Sequence, residues 1–123
     1  MNKLALSALI AMTMFSAIAQ DRAFLSKSEV EALANGKKWN HVRSPDQHKV
    51  LWDLRSGGNL FANNFSSNSS DTGSWLVNDI GQLCVKWRGR SVNRCVAVLK
   101  EGDKFKLVDS ADLNGQYADL SVE

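Results

Sequence analysis

Two histidines, His41 and His48, are the first side chains to consider for chemistry, because imidazole binds metals and exchanges protons near neutral pH. They stand on either side of the turn around Pro45. No third ligand accompanies them at a metal-binding spacing, and a zinc site needs at least three protein ligands. The pattern favours two surface histidines, and we predict neither a metal site nor a cofactor.

Catalytic motifs are not recognisable in the chain. The sequence has no nucleophile elbow, no glycine-rich phosphate loop and no His-x-x-x-His pair. Its carboxylates are scattered over turns and strand faces, so nothing favours a two-carboxylate hydrolase. We therefore predict a protein that is not an enzyme, and keep a hydrolase with unrecognised carboxylates as the weakest alternative.

The two cysteines, Cys84 and Cys95, can form a disulfide or bind a metal. There is no Cys-x-x-Cys motif, and both histidines lie far away in sequence, which disfavours a metal or redox site. An even number of cysteines in an exported protein is typical of a disulfide. We predict that the two residues are bonded to each other.

Aromatic and polar residues on predicted apolar faces suggest a ligand site. Four tryptophans are a heavy load for 123 residues, and they either line a pocket or pack a small β core. A single arginine or asparagine on such a face either orients a ligand or extends to water. The candidate ligand-binding residues are Trp52, Asn63, Trp75, Trp87 and Arg94.

The first 19 residues have the pattern of a secretory signal peptide. Lys3 precedes an uncharged apolar run, and Ala17-Ile18-Ala19 matches the small-x-small signal that peptidases recognise. The apolar run is short for a membrane span, although an N-terminal anchor is the alternative. We expect residues 20–123 to form a single domain that is periplasmic or secreted, with no membrane span.

The charge of the predicted mature chain is nearly balanced. Fourteen basic residues face thirteen acidic ones once Lys3 is removed, which leaves a net charge of +1. Proteins that bind nucleic acid are usually clearly basic, so nucleic acid is not expected as a partner. Residues 82–106 nevertheless carry a net charge of +5 and residues 107–123 a net charge of −4. This asymmetry is suited to an acidic protein partner or an anionic surface, and a solvated barrel wall is the alternative.

One short helix is predicted at the start of the domain. Ser26 and Glu29 have the spacing of a capping box, in which each side chain bonds the backbone of the other. Val30, Leu33 and Ala34 then share one face, and Asn35-Gly36 ends the helix.

Eight short strands separated by turns are predicted after Gly36, which favours a mainly β antiparallel meander or a small closed barrel. Glycines within the turns suggest the registers of two hairpins. The predicted strands are Lys37–Arg43, Val50–Ser56, Asn59–Phe65, Ser74–Asn78, Leu83–Arg88, Val92–Lys100, Lys104–Asp109 and Tyr117–Val122, with an open loop in most of 63–72.

The register of the central hairpin follows from a type II′ turn at Gly89-Arg90. This turn places Cys84 opposite Cys95, in agreement with the disulfide, and Trp87 opposite Val92. A two-residue turn at Gly57-Gly58 likewise pairs Leu54 with Phe61 and Trp52 with Asn63. Alternation along the strands then predicts a common core. Its members are Trp52, Leu54, Phe61, Trp75, Leu83, Val85, Trp87, Val96 and Val98.

A family resemblance rests on Gly73-Ser74-Trp75, on Leu83-Cys84-Val85-Lys86-Trp87 and on Cys95. With these motifs the chain resembles small secreted bacterial β-domains of unknown function, over about residues 57–109. Gly36-Lys37-Lys38-Trp39 is also similar to the first strand of lipocalin-like and avidin-like barrels, although two residues separate the glycine from the tryptophan. The resemblance implies a β fold, and it implies no activity or ligand.

The sequence therefore predicts an exported, non-enzymatic binding module for a small apolar ligand or a protein partner. The alternative is a periplasmic inhibitor or immunity protein that blocks a cell-wall or toxin enzyme through its basic hairpin and loops.

Overall fold

The structure is a computed structural model that describes residues 22–109 and 116–123. The predicted signal peptide and residues 110–115 lie outside the described part. One helix, α1 (Lys27–Ala34), is present there together with nine strands. The strands are β1 (Arg22–Phe24), β2 (Lys37–Arg43), β3 (Lys49–Leu54), β4 (Asn59–Asn64), β5 (Ser69–Val77), β6 (Leu83–Trp87), β7 (Arg94–Glu101), β8 (Lys104–Asp109) and β9 (Gln116–Val122).

The strands form a closed antiparallel barrel. Each strand from β2 to β9 pairs with the next, and β9 returns to pair with β2, so the eight strands leave no open edge between them. The prediction of a mainly β barrel with one short N-terminal helix is confirmed. The additional strand, β1, pairs with the last three residues of β7. Sequence reasoning missed β1, because a strand of three residues is too short to show an alternating pattern.

Helix α1 covers one end of the barrel. The capping box is present as predicted: the backbone N–H of Ser26 donates to Glu29 Oε1 at 3.0 Å, and the Glu29 N–H donates to Ser26 Oγ. Val30 and Ala34 are fully buried against the barrel interior. The indole N–H of Trp39, at the start of β2, donates to the Leu33 carbonyl at 2.9 Å. We call this the closed end of the barrel.

Both ends of the described chain lie at the closed end. Arg22 pairs with Glu101, beside the turn between β7 and β8. Glu123 exchanges two backbone hydrogen bonds with Lys38, next to the helix. Among the described residues, the loops at the opposite end join β2 to β3, β4 to β5 and β6 to β7.

The hairpin of β6 and β7 has the register predicted from the sequence, but its turn differs from the predicted two-residue turn. Cys84 lies opposite Cys95 and is bonded to it, with 3.9 Å between their Cα atoms. Trp87 does not pair with Val92: its backbone N–H donates to the Asn93 side chain at 2.8 Å, and residues 88–93 form a longer loop. Val92 is therefore 71% exposed rather than on the inner face. The Asn93 side chain replaces a ladder hydrogen bond, which a turn rule based on glycine does not anticipate.

The Cys84–Cys95 disulfide closes a short loop across two neighbouring strands. In the chain-entropy model, a loop of this size stabilises the folded state by about 2–3 kcal/mol. The bond fixes the register of β6 and β7 at the base of the loop that joins them.

The register predicted for β3 and β4 is wrong by one residue. Trp52 lies opposite Ala62, and Leu54 opposite Leu60. The turn contains Ser56 as well as the two glycines, because the hairpin closes with the Arg55 N–H on the Asn59 carbonyl. A one-residue slip moves every side chain of a strand to the other face.

This slip places two residues of β4 on the outer face. Phe61 is 41% exposed instead of lying in the core, and Asn63 is exposed as well. Their neighbours Leu60 and Ala62 point inward in their place.

Strand β5 begins at Ser69, five residues before the predicted start. Ser69–Ser74 pairs along the whole of β4, so much of the predicted open loop is sheet. Residues 69–74 contain no apolar side chain, and their aspartate and glycine have low strand propensity, so an alternating apolar pattern could not reveal this part of the strand.

The predicted core is confirmed except for Phe61. The other eight residues belong to one cluster of buried side chains or pack against it, with Trp75 and Trp87 half-buried. Trp39, Leu54 and Leu60, which lie near the helix at the ends of β2, β3 and β4, are fully buried members of this cluster.

Candidate functional site: the open end of the barrel

The end of the barrel opposite the helix contains a cavity of about 590 Å³, which we call the mouth cavity. This volume lies within the usual range of small-molecule sites. The residues at its floor are His41, Val50, Trp52, Ala62 and Trp87, and those at its rim include Arg43, Asn64, Asp71, Arg90, Arg94 and Tyr117.

Two tryptophans form the centre of the floor. Trp52 on β3 and Trp87 on β6 contact each other edge to face, with 6.0 Å between ring centroids. Strands β3 and β6 are not neighbours in the sheet, so this contact crosses the barrel interior. The tryptophan pair separates the packed closed end from the mouth cavity. Part of the interior is thus solid core and part is open.

Gly73 allows β5 and β6 to approach at this level. It is buried opposite Trp87, and a Cβ atom there would collide with the carbonyl group of Lys86. Only glycine is compatible with such an approach. The glycine of the Gly-x-Trp motif thus has a packing role beside the cavity floor.

His41 is buried in the floor, with 3% of its surface exposed. Its ring meets Trp52 edge to face at 4.6 Å, and neither ring nitrogen has a hydrogen-bond partner among the described residues. The pKa of His41 is lowered to about 4, mainly because burial disfavours the charged imidazole. The positive charges of Arg43 and Arg94 also lower this pKa, and the backbone of Trp39 acts in the opposite direction. The imidazole is therefore neutral at pH 7. The prediction of a surface histidine is wrong, because His41 shares the inward-facing alternation of Trp39.

A polar network holds Arg43 at the rim. Its Nε and Nη2 atoms donate to the Asp46 carboxylate at 3.2 and 2.6 Å. Arg43 Nη2 and the side-chain amide of Asn64 each lie 3.0 Å from His48 Nδ1. Because both groups are donors, Nδ1 is the acceptor in this arrangement.

Arg94 is held at the rim by two partners. Its Nη1 atom donates to Asp109 at 2.9 Å. Its guanidinium carbon lies 4.4 Å from the ring centroid of Tyr117, a cation–π contact. Arg94 therefore does not simply extend into water; it stays in the wall of the mouth cavity.

Asp71 fixes the loop of residues 88–93 beside the cavity. Its Oδ1 atom accepts from the backbone N–H groups of Thr72 and Gly89, at 2.7 and 3.1 Å. Hydrogen bonds from the Ser91 side chain and from backbone N–H groups hold the pKa of Asp71 below its ordinary value. The carboxylate also occupies the space that a Cβ atom at Gly89 would need. The loop that carries Arg90 is thus attached to β5.

Three of the five predicted ligand-binding residues meet in the mouth cavity: Trp52, Trp87 and Arg94. Asn63 does not, because of the register slip, and the adjacent Asn64 lines the cavity instead. Trp75 lies at the closed end, where its indole N–H donates to the Arg55 carbonyl at 2.9 Å.

Sequence reasoning missed several residues of the rim. They come from four different strands, and no local motif connects them. They are Arg43, Asn64, Asp71 and Tyr117.

Within the described residues, no three potential ligands among His, Cys, Asp and Glu are close enough to hold a metal ion. In the same part of the chain, no helix is long and apolar enough to cross a membrane.

Comparisons of the chain with protein-family models, with curated proteins and with solved structures find no match. Its function is therefore inferred from the geometry of the mouth cavity.

Proposed function

We propose that this chain is an exported binding protein that holds a small ligand in the mouth cavity. The observation that carries this proposal is a cavity of about 590 Å³ with a floor made by Trp52 and Trp87. Trp87 is half-buried, and a ligand that removes its exposed indole surface from water gains free energy, whereas Trp52 is buried beneath it. Export is supported by the signal-like residues 1–19 and by the disulfide, which is typical of oxidising compartments.

The rigidity of the site supports binding. The packed closed end lies directly beneath the floor, and the disulfide and Asp71 constrain the loop of residues 88–93 at one side. A site that is already ordered loses little conformational entropy when it binds a ligand, which favours affinity.

The contacts of the cavity side chains favour binding over catalysis. Nucleophilic catalysis needs a hydroxyl or thiol in contact with a base that a third group orients. Among the described residues, neither His41 nor His48 has a hydrogen bond with a serine, threonine or tyrosine hydroxyl. The polar groups of the rim mainly bond one another.

A neutral fluorescent probe tests the proposed site. We expect N-phenyl-1-naphthylamine to bind the wild-type protein with increased probe emission and quenched tryptophan emission. Ala62→Phe places a ring in the cavity from β4, where Ala62 is buried at the floor. It should weaken binding at least about tenfold, because the ring occupies the space of the probe.

Ala23→Phe is the matched control, since Ala23 is exposed in β1 at the closed end. It should leave probe binding unchanged, and the unfolding curves of both variants should show that they fold. Absence of probe binding by the wild-type protein, or equal binding by Ala62→Phe, would contradict the proposed function.

A second candidate, an inhibitor of an acidic enzyme cleft, is favoured by the loop of residues 88–93. Arg88 and Arg90 are exposed there and have no ion-pair partner in the described part of the chain. Val92 beside them is 71% exposed. A loop with exposed positive charge and an exposed apolar side chain is suited to a negatively charged cleft.

Inhibition assays with purified peptidoglycan hydrolases test this second candidate. We expect the protein to slow a hydrolase that has an acidic cleft, and the double variant Arg88→Gln/Arg90→Gln to lose at least about tenfold in potency. Lys100→Gln, an exposed basic residue of β7, is the control. Equal inhibition by the double variant, or none by the wild-type protein, would argue against the inhibitor.

A further inference from the structure

The rim of the mouth cavity carries three guanidinium groups with unused hydrogen-bond donors. Arg43 bonds its neighbours through Nε and Nη2, and Arg94 bonds Asp109 through Nη1. Arg90 has no hydrogen bond to any described residue. Since each guanidinium has five N–H donors, donors remain on all three groups.

Carboxylates partly offset the charge of these arginines, but among the described residues only one of them lines the cavity. Asp46 and Asp109 bond Arg43 and Arg94 but do not line the cavity. Asp71 does line it, and its carboxylate already accepts from Thr72 and Gly89. The hydrogen-bond acceptors at the rim are largely used within the protein, whereas several N–H donors of the arginines are not.

The positive charges of Arg43 and Arg94 act on the floor of the cavity as well as on its rim. Arg43 and Arg94 both disfavour a charge on the imidazole of His41, which lies beside Trp52. Both arginines thus make the electrostatic potential at the cavity floor more positive.

A purely apolar ligand is a poor match for this rim. It would cover part of the guanidinium surface and supply no acceptors, and the loss of hydration of a charged group without new hydrogen bonds is costly. A ligand that carries an oxyanion supplies acceptors in the geometry that guanidinium groups recognise.

We propose that the ligand of the mouth cavity is an amphiphilic anion, with an apolar ring or chain on Trp52 and Trp87 and an acidic group facing Arg90 and Arg94. The proposal rests on the proposed function and adds the chemical class of the ligand. It replaces the small apolar ligand of the sequence-based expectation with one that has a charged end.

Two probes with the same rings test the charged end. 1-Anilinonaphthalene-8-sulfonate is N-phenyl-1-naphthylamine with one added sulfonate group. We expect the sulfonate probe to bind at least about tenfold more tightly, as a charge-assisted hydrogen bond implies. Added salt should weaken binding of the sulfonate probe and leave binding of the neutral probe unchanged, because the charges at the rim are partly exposed.

Arginine variants locate the anion site. Arg90→Gln and Arg94→Gln should each reduce binding of the sulfonate probe by about tenfold and leave the neutral probe unchanged. Arg88→Gln is the matched control, because Arg88 is exposed on the same loop and does not line the cavity. Arg90 is exposed and has no partner among the described residues, so its variant should remain folded even where Arg94→Gln is destabilised.

The two proposals fail in different ways. If neither probe binds, the proposed function is wrong. If both bind equally, and Arg90→Gln and Arg94→Gln behave like Arg88→Gln, the cavity binds ligands but the anionic class is wrong. Decanoate and decyl phosphate, added as competitors, distinguish a carboxylate from a phosphate. Failure of both to displace the sulfonate probe would also overturn the anionic class.

Discussion

Replacing Trp39 by alanine is expected to lower the free energy of unfolding by about 3–5 kcal/mol, enough to unfold a marginally stable domain. The indole is fully buried between α1 and the barrel interior. Its N–H group also donates to the Leu33 carbonyl, so the substitution leaves both a cavity and an unsatisfied carbonyl. Urea unfolding followed by far-ultraviolet circular dichroism measures the change without relying on tryptophan emission.

Trp87→Ala is the informative comparison. Trp87 is half-buried and lines the mouth cavity, so its removal enlarges an existing open cavity rather than creating a new one inside the packed core. We expect a loss clearly smaller than that of Trp39→Ala, about 1–3 kcal/mol. The stability loss for Trp39→Phe should lie between those for Trp87→Ala and Trp39→Ala, since phenylalanine retains most of the packing and loses the hydrogen bond. A loss for Trp87→Ala as large as that for Trp39→Ala would show that the open end is as tightly packed as the closed end.

Acidification from pH 7.5 to pH 4 is expected to remove roughly 3 kcal/mol of stability through His41 alone. Burial lowers the pKa of His41 from 6.5 in the unfolded chain to about 4 in the folded one. Between these values the unfolded chain binds a proton that the folded chain does not. Stability therefore falls as the pH falls through this window and is retained above it. Urea unfolding at a series of pH values measures the slope.

His41→Phe should flatten this slope, because phenylalanine retains an aromatic ring against Trp52 and cannot titrate. Stability at pH 7.5 should be equal or higher, since the variant removes two buried nitrogens without partners. The lowered pKa values of Glu29, Asp46 and Asp71 act at more acidic pH and are common to both proteins. Identical slopes in the two proteins above pH 4.5 would rule out His41 as the origin.

Local signals in the sequence were sufficient for the helix and for one hairpin. The capping box of Ser26 and Glu29 needs only residues three apart, and its geometry is observed. A turn at Gly89-Arg90 and the cysteine pair together predict the register of β6 and β7, and the observed disulfide has this register. The turn itself was predicted wrongly, because Asn93 competes with the backbone for the Trp87 N–H.

The second hairpin shows the limit of turn rules. Two adjacent glycines are compatible with loops of two or three residues, and the sequence does not distinguish them. Both glycines have positive φ, and Ser56 joins them in the loop. The length of the loop decides whether Phe61 or Leu60 enters the core. An error of one residue in this length therefore exchanges the inner and outer faces of β4.

The candidate site was predicted only where it lies on the two hairpins. Trp52, Trp87 and Arg94 follow from alternation along β3, β6 and β7. The partners of Arg94 come from β8 and β9, and the position of Tyr117 depends on an irregularity opposite Leu107 and Val108. Such a feature is set by closure of the barrel and leaves no periodic signal in the sequence.

The position of both chain ends at the closed end has a practical consequence for orientation. A tether attached before Arg22 or after Glu123 would leave the barrel beside α1, on the side away from the mouth cavity. Fixed to a surface by either end, the domain would direct its opening toward the surrounding solution. Solutes could then enter by free diffusion, without passing the point of attachment.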